Sequence, residues 1–166
     1  MIVVVMGVSG VGKTTLGRVL ADRLQATFLE GDRFHPPANV EKMRAGTPLS
    51  DADREPWLRA LAAEAERCSS RGENVVIACS ALKRAYRAIL AERMAMRFVH
   101  LTGEPSLIKA RLDARVGHYM PPALLPSQLA SLEPPGADEG AITIDIAAEP
   151  GALLETVLTA LRVPAA

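Results

Sequence analysis

Eight residues near the start of the chain, Gly-Val-Ser-Gly-Val-Gly-Lys-Thr at positions 7–14, constrain its fold more than any other feature because of what flanks them. Ile2 to Val5 form an unbroken, mostly β-branched apolar run, the pattern of a parallel central strand buried on both faces. Beyond the loop, Leu16, Val19, Leu20 and Leu24 recur at helical spacing and predict the apolar face of a helix starting near Lys13. Strand, glycine loop and helix in that order give Gly7-x-x-x-x-Gly12-Lys13-Thr14 the context of a Walker A phosphate-binding loop. Gly7, Gly10 and Gly12 permit unusual φ/ψ and let bare backbone approach a ligand. Main-chain groups of Gly7, Val8, Ser9, Gly10, Val11, Gly12, Lys13, Thr14 and Thr15 can then converge on an anion at the helix N-terminus. Lys13 adds charge for the β- and γ-phosphates, and the Thr14 hydroxyl is placed to ligate magnesium. The predicted ligand is a nucleoside triphosphate.

A chain of 166 residues is expected to form one domain over residues 1–166 with a substantial core and no need of staples. The formal net charge of zero argues against a broad polynucleotide surface. Cys68 and Cys79 have no metal-like or C-x-x-C spacing, so buried reduced thiols are expected. The first apolar run lacks a basic leader, and no apolar stretch approaches the ~18 residues of a membrane span. These features predict a cytoplasmic protein with no membrane partner.

Strand-like runs recur at Ile2 to Met6, Thr27 to Leu29, Val75 to Cys79, Arg97 to Leu101 and Ala141 to Ile146, with helical patterns between them. That alternation predicts an α/β fold, a five-stranded parallel sheet with helices on both faces. Ala38 to Ala45, after Pro36-Pro37 and before Gly46, reads as a short helix. Ser50-x-x-Asp53 reads as a capping box for a longer helix whose core face carries Trp57, Leu58, Leu61, Ala65 and Cys68. The two helices form an excursion at about 33–72, where a small kinase would keep its acceptor. A lid is expected at about 115–130, and the last helix, from about Pro150, covers the sheet.

A phosphate loop alone does not separate kinases from GTPases or motor ATPases. There is no N-K-x-D motif for guanine, and the third strand does not end in the Asp of a Walker B motif. An acidic pair instead follows the second strand. Glu30 and Asp32 alternate about Gly31 at a strand end, expected beside the first strand, where α/β sheets open their ligand crevice. One carboxylate can hold magnesium through water while the other accepts the proton of an acceptor hydroxyl. A solvated acidic turn is the competing interpretation.

The stretch EGDRFHPPANVEKMRAGTPLSDADREPWLRAL resembles the signature of the gluconate kinases, G-D-x-x-H-P-x-x-N-x-x-K-M-x-x-G-x-P-L-x-D-x-D-R-x-P-W-L. The resemblance continues through CSALKRAYRAIL and ARVGHYMPPALLPSQLASLEPPGADE. It implies the fold of the nucleoside monophosphate and shikimate kinases and phosphorylation of D-gluconate at its 6-hydroxyl with ATP and Mg2+. It also suggests a homodimer. Glu30 stands where many relatives carry Asp, so the carboxylate is kept with a longer reach.

By matched position, the resemblance implies that Asp32 orients and deprotonates the 6-hydroxyl, with His35, Arg54 and Lys83 around the sugar acid. Such a substrate needs a cation for its acid end, and an Arg can grip a carboxylate bidentately. Each assignment has a plainer alternative: Arg54 as a capping-turn cation tied to Asp51 or Asp53, His35 as a turn residue, and Lys83 as a surface lysine. Trp57 reads as core. Arg111 and Arg115 share a helix face at i, i+4, and the resemblance implies that they pack on the adenine and neutralise the moving phosphoryl group. Gln128 is expected to touch the sugar or hold the lid. Gly117, Pro121 and Pro122 bracket His118, Tyr119 and Met120 as a hinged flap would require. A kinase of shikimate or another small hydroxy acid, and a nucleotide-binding regulatory module, remain open on the same residues.

Overall fold

The computed structural model of the chain describes residues 1–114 and 124–162. Five strands, β1 (Ile2–Met6), β2 (Thr27–Glu30), β3 (Val75–Ala78), β4 (Arg97–Thr102) and β5 (Ile142–Asp145), form one sheet in the order β2-β3-β1-β4-β5. All four pairings are parallel, with Ile2 opposite Val75, Val3 opposite Arg97, Thr27 opposite Val75 and Val99 opposite Ile142. Among the helices are α1 (Lys13–Leu24), α2 (Pro37–Arg44), α3 (Asp51–Ser70), α4 (Arg84–Ala91), α5 (Pro105–Asp113), α6 (Leu125–Ser131) and α7 (Pro150–Arg162).

Every residue of β1 is buried, because its alternating side chains enter two different cores. Val3 and Val5 join Leu16, Leu20, Ile108, Leu154 and Val157, so α1, α5 and α7 cover one face. Ile2, Val4 and Met6 join Trp57, Leu58, Leu61, Tyr86 and Leu90, so α3 and α4 cover the other. Helices on both faces of a parallel sheet are the three-layer arrangement expected of its continuous apolar strands. Both cysteines are buried and free, as expected.

Two expectations need correction. Val19 does not belong to the core face of α1: it is 44% exposed, and the small residues Gly17 and Ala21 are buried there instead. A Cβ on Gly17 would come within 2.8 Å of the Phe28 ring, which shows how closely α1 lies on the sheet. Nor is β2 beside β1, since β3 lies between them. The consequence is functional, because Ser80, just after β3, joins the phosphate loop and the acidic turn in lining one cleft. The capping box of α3 forms as expected, with Asp53 N–H donating to Ser50 Oγ at 3.1 Å and Ser50 N–H to Asp53 Oδ2 at 2.9 Å.

Candidate active site

The loop joining β1 to α1 has the backbone the glycines were expected to supply. Gly7 has φ +137°, and a Cβ there would lie 2.5 Å from the Leu101 carbonyl oxygen, so only glycine fits. Gly12, the residue before α1, has φ +94° with nothing within 4 Å of its missing Cβ, which leaves the helix N-terminus open for an anion. Lys13 Nζ reaches back to donate to the Val8 carbonyl at 2.9 Å, so its charge sits over the loop. On the outer side, a cavity of about 430 Å³ is bounded by Gly10, Gly12, Thr15, Val19, Arg111 and Leu153. The exposure of Val19 is explained here, because it forms the apolar wall of that cavity. Arg111 donates to the Ile146 carbonyl at 3.1 Å and is held at the cavity edge.

On the inner side, Lys13 meets Asp32, His35, Arg54 and Ser80 around a second cleft, of about 30 Å³. Asp32 lies in a single 3-10 turn, Gly31–Phe34, that begins as β2 ends. Gly31 is pressed against β3, where an added Cβ would sit 2.5 Å from the Ala78 carbonyl oxygen. The Trp57 indole N–H donates to the Gly31 carbonyl at 2.7 Å, fixing the turn from α3. The Trp57 ring also stacks on His35, with centroids 3.9 Å apart and planes 19° from parallel. Trp57 is therefore core, as expected, and in addition the platform of the cleft. Burial, helped by the Arg54 charge and opposed by Asp32, pushes His35 down to about 4. Met43, Leu49 and Leu124 make a separate apolar cluster that roofs this cleft.

Arg54 is free of the two carboxylates that a capping role would require. Asp53 accepts from Lys42 at 2.8 Å, and Asp51 accepts from Lys83 at 2.8 Å and from the Tyr86 hydroxyl. Among the described residues Arg54 makes no ion pair, and its guanidinium lies 5.6 Å from the Tyr86 ring centroid while facing the cleft. Lys83 lies on the same ring at 5.6 Å, but it is committed to Asp51 and does not line the cleft. Gln128 lines the same cleft and is also bonded to the phosphate loop. Its Oε1 accepts the Ser9 backbone N–H at 2.7 Å and its Nε2 donates to Ser9 Oγ at 3.2 Å, so α6 is fastened to the phosphate loop. Arg115 and the flap around His118 lie outside the described residues.

The Glu30 carboxylate accepts a hydrogen bond from the Thr14 hydroxyl, and burial raises its pKa above the usual carboxylate range. Among the described residues no group of three or more His, Cys, Asp or Glu could hold a metal alone. A hydroxyl and a carboxylate beside a phosphate loop instead suit a hard divalent ion that takes its remaining ligands from phosphate and water.

Three positioning residues escaped the sequence reading. Asn39, 4% exposed, links α2 to α3; its signal was its place four residues after His35 and four before the buried Met43. Ser80 follows β3, and its carbonyl accepts the Gly7 N–H at 3.2 Å. Arg87, 2% exposed, pairs with Glu139 through Nε at 2.5 Å and Nη2 at 2.9 Å. Its Nη1 donates to the carbonyls of Ala81, Leu82 and Glu133 at 3.0 to 3.2 Å. One buried cation thus joins the loop after β3 to the segment after α6.

A family model described as an AAA domain matches residues 2–135. The gluconokinase of Gluconobacter oxydans is 49% identical over 93% of this chain and 88% of its own. An unliganded sugar kinase from Janibacter sp. superposes with a TM-score of 0.93 at 46% identity, covering 98% of this chain and 95% of that one. A gluconokinase from Sinorhizobium meliloti gives a TM-score of 0.84 at 43% identity over 96% and 90%. With a phosphate loop on one side of Lys13 and a carboxylate-histidine-arginine cleft on the other, the chain belongs to the gluconokinase family of P-loop kinases.

Proposed function

We propose that this protein transfers the terminal phosphoryl group of ATP to the 6-hydroxyl of D-gluconate, giving 6-phospho-D-gluconate and ADP. The observation that carries the reading is the meeting of Asp32, His35 and Arg54 with Lys13 around one cleft. The loop backbone from Gly7 to Thr15 binds the triphosphate, and the cavity edged by Arg111 takes the base. Arg115 follows α5 and adds charge at the phosphoryl group. Thr14 and Glu30 would hold Mg2+, the carboxylate through water, and the ion neutralises phosphate charge when bound. Arg54 grips the carboxylate of the sugar acid, and Asp32 aligns the 6-hydroxyl and takes its proton. Lys13 stands between donor and acceptor, where charge develops.

The apolar roof of Met43, Leu49 and Leu124 lies over the acceptor cleft, where it would exclude water from the transfer. The residues 115–130 act as the lid and 33–72 as the acceptor arm.

Asp32→Asn tests the assignment. It keeps size and some hydrogen bonding but removes the proton acceptor, so gluconate-dependent ADP release should fall ~10²- to 10⁴-fold while ATP affinity changes little. Loss of ATP affinity instead would assign Asp32 to the nucleotide side, and unchanged turnover would refute its catalytic role. A panel of sugar acids with shikimate, assayed on the native protein, tests the choice of acceptor.

A further inference from the structure

His35 touches the acceptor cleft, yet its two ring nitrogens cannot be equivalent there. The Asn39 side-chain amide nitrogen donates to the Asp53 main-chain carbonyl at 2.8 Å. A carbonyl oxygen only accepts, so this bond fixes which end of the Asn39 amide is nitrogen. The same nitrogen lies 3.3 Å from His35 Nδ1. An amide nitrogen only donates, so Nδ1 must be the acceptor and carry no proton. We propose that Asn39 holds His35 in the Nε2–H tautomer and thereby makes it a neutral hydrogen-bond donor to an oxygen of the acceptor substrate.

The surroundings fit this assignment. One face of the ring is covered by Trp57 and the Nδ1 edge by Asn39, so the Nε2 edge is what the ring offers the cleft. The charged groups facing the ring are Asp32 from the turn after β2 and Arg54 from α3, which act on it in opposite directions. Within the gluconate reading above, on which the substrate half of this assignment rests, the cleft offers His35 Nε2 and Arg54 as donors and Asp32 as an acceptor, beside Lys13 and the hydroxyls of Ser80 and Ser127. That set favours a polyol acid whose reacting hydroxyl donates to Asp32 while other oxygens accept. Asn39 is in these terms a positioning residue that acts through His35.

The test begins with the native full chain. Long-range proton–nitrogen correlation spectra of protein labelled at its 3 histidines resolve each tautomer, and His35→Gln identifies the His35 signals by their loss. At pH 7 the expected pattern is a protonated Nε2 and a bare Nδ1; a protonated Nδ1, alone or with Nε2, overturns the proposal. Asn39→Asp replaces the donor by an acceptor and should move the proton to Nδ1, raising the gluconate KM about tenfold with the ATP KM within about twofold. An unchanged His35 spectrum in that variant also overturns it. Because Asn39→Asp gives up the bond to α3, a second pair guards against misfolding. Glutamine places an amide N–H near the ε position and asparagine near the δ position, so His35→Gln should keep a gluconate KM at least about fivefold below that of His35→Asn; equal values refute donation from Nε2. A native protein with the Nε2–H tautomer but no gluconate phosphorylation would refute the substrate reading and leave the tautomer assignment standing.

Discussion

Replacing Trp57 by Phe separates the two roles this side chain holds. Phenylalanine keeps an aromatic ring against His35 but has no N–H, so the Gly31 carbonyl loses the partner now 2.7 Å away. That carbonyl cannot turn to solvent, because Gly31 is buried and pinned against the Ala78 carbonyl of β3. Leaving a buried acceptor unpaired costs ~1–3 kcal/mol. The smaller ring also leaves a void among Leu58, Leu61 and Ile77, worth about 1 kcal/mol more. Trp57→Phe should therefore destabilise the fold by ~2–4 kcal/mol, which lowers Tm by ~5–15 °C in a chain of this length. Differential scanning calorimetry measures the shift directly. Turnover should fall as well, since the carbonyl that is released precedes Asp32. A Tm within about 2 °C of the native value would refute the claim that the indole N–H braces the turn.

Arg87→Met strips the charge from a buried cation and leaves the Glu139 carboxylate and three main-chain carbonyls without their donor, so urea unfolding should show a loss of ~3–5 kcal/mol. A loss below about 1 kcal/mol would mean that the clamp is decorative. The His35 ring is lowered from the ordinary 6.5 to about 4 in the folded protein, mainly by burial, so the unfolded chain binds the extra proton between those values. Its contribution is complete above pH 6.5 and is lost as pH falls toward 4. After allowance for the solvent that still reaches the ring, His35→Gln should lose ~1–2 kcal/mol less than the native protein on going from pH 7.5 to pH 5. Identical pH dependence in the two proteins would show that His35 titrates near its ordinary value.

What the sequence made legible was local. The five strands appear within one or two residues of where their apolar runs place them, most plainly in β1 and β3, whose two faces are both buried and whose runs have no polar interruption. The phosphate loop is legible for the same reason, since glycine spacing and φ are properties of one short segment. The lateral order of the strands is not local. A central parallel strand looks alike whichever neighbours it has, and nothing in residues 27–32 reveals that β3 inserts between β2 and β1. Val19 failed by the opposite route: helical spacing marks a side chain as apolar-facing, but a wall of a ligand cavity and a wall of the core have the same periodicity.

The charged residues sharpen that distinction. Lys83, Arg54 and Arg87 are each, in sequence, a cation at or near a helix start, yet only Arg54 lines the cleft. Their fates differ only through partners far along the chain: Asp51 lies 32 residues from Lys83, while Glu139 lies 52 residues from Arg87. Arg54 is left to the cleft because its two neighbouring carboxylates were claimed by Lys42 and Lys83. The availability of the predicted substrate-gripping arginine is thus set by competition among cations for Asp51 and Asp53. Removing Lys83 should therefore free Asp51 to capture Arg54 and weaken gluconate binding, although Lys83 itself does not line the cleft. Lys83→Met with a raised gluconate KM, and recovery in the double variant with Asp51→Asn, would trace the effect to that competition. A raised KM that Asp51→Asn does not relieve would instead place Lys83 in direct contact with the sugar acid, as its position in the sequence first suggested.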